Sequence, residues 1–291
     1  MSTLIFNNIH KHFDQIIALD SFSLTVNAGS ICGFLGRNGA GKSTALRIAA
    51  GVITPDDGQV LIKDANGLNR SAPRIGFMPE ERGLYSRERV SEQLQFFGRL
   101  GGLSKRDSKR ETSLLLERLE LQEKEDEILQ NLSLGNQQRV QLAAALVHLP
   151  EVLLLDEPFS GLDPLASQLM QELLIERANN GVSVLFSSHQ MDMVEQCCDC
   201  LAFLKDGQVR RYSTIKSLQQ SEIVRVEVSQ PRKTWPNFKF NTVHENGRWF
   251  ALLNGEKYDP LFFATAVYNG EFDWFRPETV SLASIYEKEL S

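Results

Sequence analysis

No part of this 291-residue sequence runs for about 18 apolar residues without interruption, so no membrane-spanning helix is expected from it. The longest apolar stretch, Leu142 to Leu155, is broken by His148, Pro150 and Glu151. An excess of basic charge is also missing. Lys and Arg number 31 against 37 Asp and Glu, a net charge of -6, which argues against a bulk nucleic-acid binder. The N-terminus has no basic region followed by an apolar core, so no signal peptide is expected. Cysteine is scarce. Cys197, Cys198 and Cys200 are too tightly spaced for paired metal ligands, and with Cys32 they read as small buried side chains in a reduced, cytoplasmic setting.

What is present centres on Gly36-Arg37-Asn38-Gly39-Ala40-Gly41-Lys42-Ser43, which fits G-x-x-x-x-G-K-[ST] at every specified position. Ile31 to Leu35 before it reads as a buried strand, and Ser43 to Ala50 after it as a helix that Gly51 can end. The glycines Gly36, Gly39 and Gly41 are expected to take positive φ and to let the backbone approach a ligand. Inward N–H groups at a helix N-terminus then bind phosphate. Lys42 supplies an ammonium for the β- and γ-phosphates. Ser43 supplies a hard oxygen for Mg²⁺.

The rest of the chain alternates strands and helices, which implies a mostly parallel α/β sheet. Leu4, Phe6, Ile9 and then Phe22, Leu24, Val26 alternate as antiparallel strands ahead of the loop. Phe13 between them reads either as a core aromatic or as a platform for a nucleobase. Residues from about 86 to 132 read as a helical insertion. Ser91 and Ser104 are candidate N-caps of its two helices, and Phe96 and Phe97 read either as core of the insertion, the favoured reading, or as lining of a groove on its surface. Val152 to Leu155 is a continuous apolar run, as in a strand buried on both faces, and it ends in Asp156-Glu157. A second such run, Val182 to Phe186, ends at Ser187-Ser188-His189. Leu201 to Val209 reads as a closing hairpin around Asp206-Gly207. Beyond about residue 215 the texture changes to a small α+β domain that holds all three tryptophans. Strands are expected there near Val224 to Val228, Trp249 to Leu253 and Phe272 to Phe275, with a helix over Leu261 to Val267.

Over residues 4 to 212 the sequence resembles the ATP-binding subunits of ABC transporters. The resemblance rests on separated motifs in order: the phosphate loop through Thr44, Leu132 to Gln137 at the L-S-G-G-Q signature, Asp156-Glu157 at the Walker B acids, Ser160 to Asp163 at the S-G-L-D loop, and His189 at the switch histidine. It implies a P-loop ATPase fold with an antiparallel β subdomain and a helical insertion over residues 1–214, followed by an accessory domain at 215–291 with a closing helix over Ser281 to Tyr286. It implies ATP and Mg²⁺ as ligands. Gly36, Arg37, Asn38, Gly39, Ala40, Gly41, Lys42, Ser43 and Thr44 would hold the phosphates, and Phe13 would stack on the base. Ser133, Gly135 and Asp163 would serve a nucleotide held across a dimer with a like or related ATPase. Ser43, Glu80 and Asp156 would serve the metal. Glu157 would activate water, and His189 would meet the γ-phosphate.

The resemblance also implies a separate membrane permease as partner, with the insertion and Tyr85 facing it, and a place on the inner face of the membrane. The P-E-E-R-G-L-Y run at residues 79–85 is similar to a bacterial exporter branch that includes sodium-efflux-type ATPases. Three positions depart from the family pattern: Glu80 replaces a glutamine, Leu134 a glycine and Asn136 a glutamine. A soluble ABC-type ATPase acting on a ribosome or DNA complex is the rival, against which the single cassette and acidic charge stand.

Overall fold

The computed structural model describes residues 1–81, 83–219, 223–228, 241–245, 248–254 and 274–277, with Leu282, Ile285, Tyr286 and Glu289. The chain divides into two compact units, Met1–Ile215 with Glu289–Ser291, and Lys216–Lys288.

The first unit is built on a six-stranded sheet. Its strands are β3 (Ile31–Gly36), β5 (Ile75–Met78), β6 (Val152–Asp156), β7 (Ser183–Ser187), β8 (Cys200–Lys205) and β9 (Gln208–Thr214), in the order β5-β6-β7-β3-β8-β9. All neighbours pair in parallel except β8 with β9, which form a hairpin. Its two turn residues, Asp206 and Gly207, both have positive φ, as the strand twist of a two-residue hairpin requires. Strands β3, β6 and β7 are buried at every residue. That is why they read as continuous apolar runs and not as alternation.

A second sheet of order β2-β1-β4 is formed by β1 (Thr3–Phe13), β2 (Ile16–Val26) and β4 (Asp57–Lys63), antiparallel throughout. Its inward residues Leu4, Phe6, Ile9, Phe22 and Leu24 share one core with Phe34 of β3 and with Leu46 and Ile48 of the helix α1 (Lys42–Ala49). Phe22 is the hinge of that core. Its ring meets Phe6 at 5.1 Å and Phe34 at 5.9 Å, edge-to-face both times. We expect Phe22→Ala to destabilise the unit by about 3–5 kcal/mol, read from the midpoint of chemical denaturation.

The helical insertion carries α2 (Val90–Leu100) and α3 (Lys105–Arg118), and α4 (Leu134–Leu146) follows it. Ser104 caps α3 as expected, accepting from the Asp107 N–H. Ser91 does not cap α2. The helix starts two residues earlier, with Arg89 at the N-cap, because carbonyls of the returning chain satisfy its first donors: Val90 N–H donates to Glu127 O and Ser91 N–H to Glu125 O. Phe96 also departs from expectation. It is 42% exposed, with Tyr85 and Phe97 its ring neighbours at 6.4 and 5.6 Å. Cys32, Cys197 and Cys200 are buried and Cys198 half-buried, all as free thiols.

In the second unit, β10 (Ile223–Val228), β11 (Asn241–Glu245), β12 (Arg248–Asn254) and β13 (Trp274–Pro277) form an antiparallel sheet of order β11-β12-β10-β13. The helix expected at 261–267 and Trp235 lie outside the described residues. Of the closing helix, Leu282, Ile285 and Tyr286 are described and helical.

Candidate functional site

Because β5, β6, β7 and β3 are parallel neighbours, their carboxyl ends emerge at one edge of the sheet. The phosphate loop follows β3, Asp156-Glu157 closes β6, His189 follows β7 and Glu80 follows β5. Ligands of open α/β sheets bind at that edge. A cleft of about 650 Å³ opens there, lined by Phe13, Asn38 to Thr44, Glu80, Asp156, Glu157 and His189. Residues separated by up to 176 positions in the chain therefore share one wall.

The loop is shaped by close approach. Gly39 and Gly41 have φ of +81° and +103°, as expected of them. Gly36 does not have positive φ; it is glycine because a Cβ there would stand 2.7 Å from the Leu204 carbonyl oxygen of β8. The hairpin turn after β8 props the loop from the other side, with Gly207 N–H donating to Ala40 O at 3.2 Å. Lys42, the first residue of α1, is buried. Its Nζ donates to the carbonyls of Gly36 at 2.7 Å and Arg37 at 3.2 Å. These two residues thus enter the site through their carbonyls, while the Arg37 side lines a neighbouring pocket with Leu204 to Asp206. Burial pushes the Lys42 pKa down, and the nearby carboxylates of Glu157, Asp156 and Glu80 oppose that shift.

The acidic end is set by β6, β7 and α4 together. Asp156 Oδ1 accepts from Ser187 Oγ at 2.6 Å. Its Oδ2 is buried and has no partner, a costly arrangement unless something else fills the position. Glu157 turns sharply out of the strand with φ of +50°. Its N–H donates to Ser187 Oγ at 2.8 Å, and its Oε2 lies 2.9 Å from His189 Nδ1. Gln138 of α4 donates to Pro158 O at 3.1 Å. Gln141, one turn on, donates to the carbonyls of Pro79 at 2.8 Å and Glu81 at 3.2 Å, and so fixes the turn that carries Glu80. Ser187, Gln138, Gln141 and the lining residues Ile16 and Ala18 are absent from the sequence-based site. A hydroxyl or amide signals its role only through its partners, and those partners are 20 to 62 residues away for the two glutamines.

The remaining site candidates lie apart from this cleft. Ser133 caps α4, accepting from the Asn136 N–H at 3.3 Å. Asp163 caps α5 (Pro164–Asn179), accepting from the Ala166 N–H at 2.8 Å. Gly135 sits in the first turn of α4 with room around it, the Leu162 side chain being 3.7 Å from a notional Cβ. Asn136 is held by the Arg139 guanidinium, which also donates to Leu119 O at the end of α3. Among the described residues no group of three or more His, Cys, Asp and Glu could hold a metal ion unaided. No described helix is long and apolar enough to cross a membrane.

A family model described as ABC transporter matches residues 19–160. The chain is 38% identical over 218 residues to the uncharacterized ABC transporter ATP-binding protein YhaQ of Bacillus subtilis, covering 75% of this chain and 73% of that one. It is 36% identical over 221 residues to the Nod factor export ATP-binding protein I of Burkholderia lata, covering 75% and 73%. Among solved structures, an ATP-binding subunit of an ABC transporter superposes with a TM-score of 0.68 at 27% identity, over 74% of this chain and 91% of that one.

Proposed function

This chain belongs to the ATP-binding proteins of ABC transporters, and on that premise we propose that its cleft hydrolyses Mg-ATP to drive a separate membrane permease, in the direction of export. The observation that carries the hydrolytic half is the pairing of a phosphate loop with two carboxylates and a histidine at one sheet edge. Asn38 to Thr44 present backbone N–H groups and the Lys42 ammonium to the phosphates. Phe13, 43% exposed at the mouth of the cleft, stacks on the base, and the Lys11 ammonium 5.4 Å from its ring centre favours that electron-rich face.

The residues fit a Mg²⁺ ion. Asp156 Oδ2 is the unpartnered buried acceptor, the Ser43 hydroxyl lines the same cleft, and Glu80 adds a third oxygen donor. Mg²⁺ is held by one or two carboxylates and completes its shell with phosphate and water, which suits a site with too few protein ligands to hold a metal alone. When bound it neutralises charge developing on the transferred phosphoryl group. Glu157 holds the attacking water and takes its proton. His189 orients Glu157 through Nδ1, and its other ring nitrogen is left to face the γ-phosphate.

The exposed cap of α4 is the second half of the mechanism. Ser133, Gly135 and the N-terminus of α4 close over the nucleotide of a partner ATPase, and Asp163 lies on the same dimer face. The aromatic group Tyr85, Phe96 and Phe97 on the insertion, where Tyr85 stacks on Phe97 at 6.0 Å, is the surface that receives the permease. The relative named for Nod factor export and the residue 79–85 run support export. The test is co-purification of tagged Glu157→Gln protein from gently solubilised membranes with Mg-ATP present. One polytopic membrane protein is the expected result. Recovery of ribosomal or DNA-bound proteins instead would overturn the transporter reading.

A further inference from the structure

We propose that Ser187 is a positioning residue for ATP hydrolysis, its buried hydroxyl setting Asp156 and Glu157 in one fixed arrangement. The inference rests on the roles given above to those two carboxylates. Ser187 is the last residue of β7 and stands in register with Asp156, the last residue of β6. It is fully buried. A serine hydroxyl has one proton to donate and lone pairs to accept. Here the proton goes to Asp156 Oδ1 and a lone pair takes the Glu157 N–H, at 2.6 and 2.8 Å. One oxygen atom therefore holds consecutive catalytic residues from the neighbouring strand.

Two consequences follow from that placement. With Oδ1 engaged, Asp156 presents only Oδ2 to the cleft, and Oδ2 is the atom left without a partner. The hydrogen bond to Oδ1 holds the carboxylate against rotation, so the unpartnered Oδ2 is the oxygen best placed to receive a cation. The second consequence concerns the backbone. Glu157 has φ of +50°, a conformation disfavoured for a residue with a side chain. It persists where the surroundings impose it. Ser187 holds the N–H side of that turn, and Gln138 holds the carbonyl of the following Pro158. The turn directs the Glu157 carboxylate to His189 and not back along the strand. The neighbouring Ser188 has a different use, since its hydroxyl accepts from the Gln190 N–H.

The test compares Ser187→Thr with Ser187→Val. The two side chains have nearly the same shape and add the same volume to a packed slot, so packing effects cancel and the hydroxyl is the difference. Three quantities are measured: kcat against KM for ATP, the Mg²⁺ concentration for half-maximal rate, and equilibrium binding of a fluorescent ATP analogue with Mg²⁺ or with EDTA. Relative to the Thr variant, the Val variant is expected to lose about 10- to 100-fold in kcat and to need more Mg²⁺. Its KM and its Mg-free binding are expected to stay unchanged. Equal behaviour of Thr and Val, whether both active or both inactive, would overturn the proposal. An unmodified protein that binds Mg-ATP with no turnover would instead withdraw the hydrolytic role of Glu157, and the Mg²⁺ dependence of analogue binding would still separate Thr from Val.

Discussion

Glu157→Gln is expected to lower ATP turnover by about 10²- to 10⁴-fold while Mg-ATP binding survives. The amide keeps the shape of the side chain and can still contact the His189 ring, which sits 2.9 Å from Oε2. It cannot take a proton from water. The backbone is held by contacts the substitution does not touch, the N–H to Ser187 and the neighbouring Pro158 carbonyl to Gln138. The variant therefore separates chemistry from binding. Steady-state phosphate release measures the first and equilibrium nucleotide binding the second. Chromatography with and without Mg-ATP adds a third readout, since an enzyme arrested before hydrolysis is expected to accumulate as a dimer. Turnover close to that of the parent would remove Glu157 from the mechanism.

Lys42→Ala is expected to act earlier, weakening nucleotide binding by about 2–3 kcal/mol, roughly 30- to 150-fold. The ammonium without nucleotide is satisfied by the carbonyls of Gly36 and Arg37. Burial disfavours its charge, and three carboxylates nearby oppose that effect in part. The ammonium sits in a partly dry cleft, where its attraction for phosphate is strong. Its loss leaves Asp156, Glu157 and Glu80 facing the nucleotide's own negative charge. The fold is expected to survive, because the substitution removes two hydrogen bonds to the loop and leaves the packing of β3 against α1 in place. Titration with a fluorescent ATP analogue checks the affinity, and a thermal melt checks the fold. Binding within a few-fold of the parent would mean that the loop N–H groups alone carry the phosphates.

Much of this site was legible before any fold was known. The phosphate loop, the two acids after an apolar strand and the histidine after another are each local patterns whose chemistry depends on residue type and on the adjoining element. The same holds for the alternation of β1 and β2 and for the unbroken apolar character of β6 and β7, which reflect burial on one face or on both. Ser91 and Phe96 mark where local reading failed. Ser91 looked like a cap, but the helix begins before it, with the N–H groups of Val90 and Ser91 met by carbonyls 34 to 37 residues further on. Phe96 looked like core, yet hydrophobicity alone does not distinguish a residue packed inside an insertion from one exposed at its surface.

The sequence by itself determined that this chain binds a nucleoside triphosphate and that it belongs among ABC-type ATPases, because those properties reside in short motifs and their order. Only the tertiary structure decided how the motifs meet. The strand order β5-β6-β7-β3 brings Glu80, Asp156, His189 and Lys42 to one edge. The register of β6 against β7 places the Ser187 hydroxyl against the Asp156 carboxylate and the Glu157 N–H. The approach of β8 makes Gly36 a glycine for want of room and not for φ. Register and strand order are set by pairing between segments far apart in the chain, and no local pattern of residues encodes the distance between them.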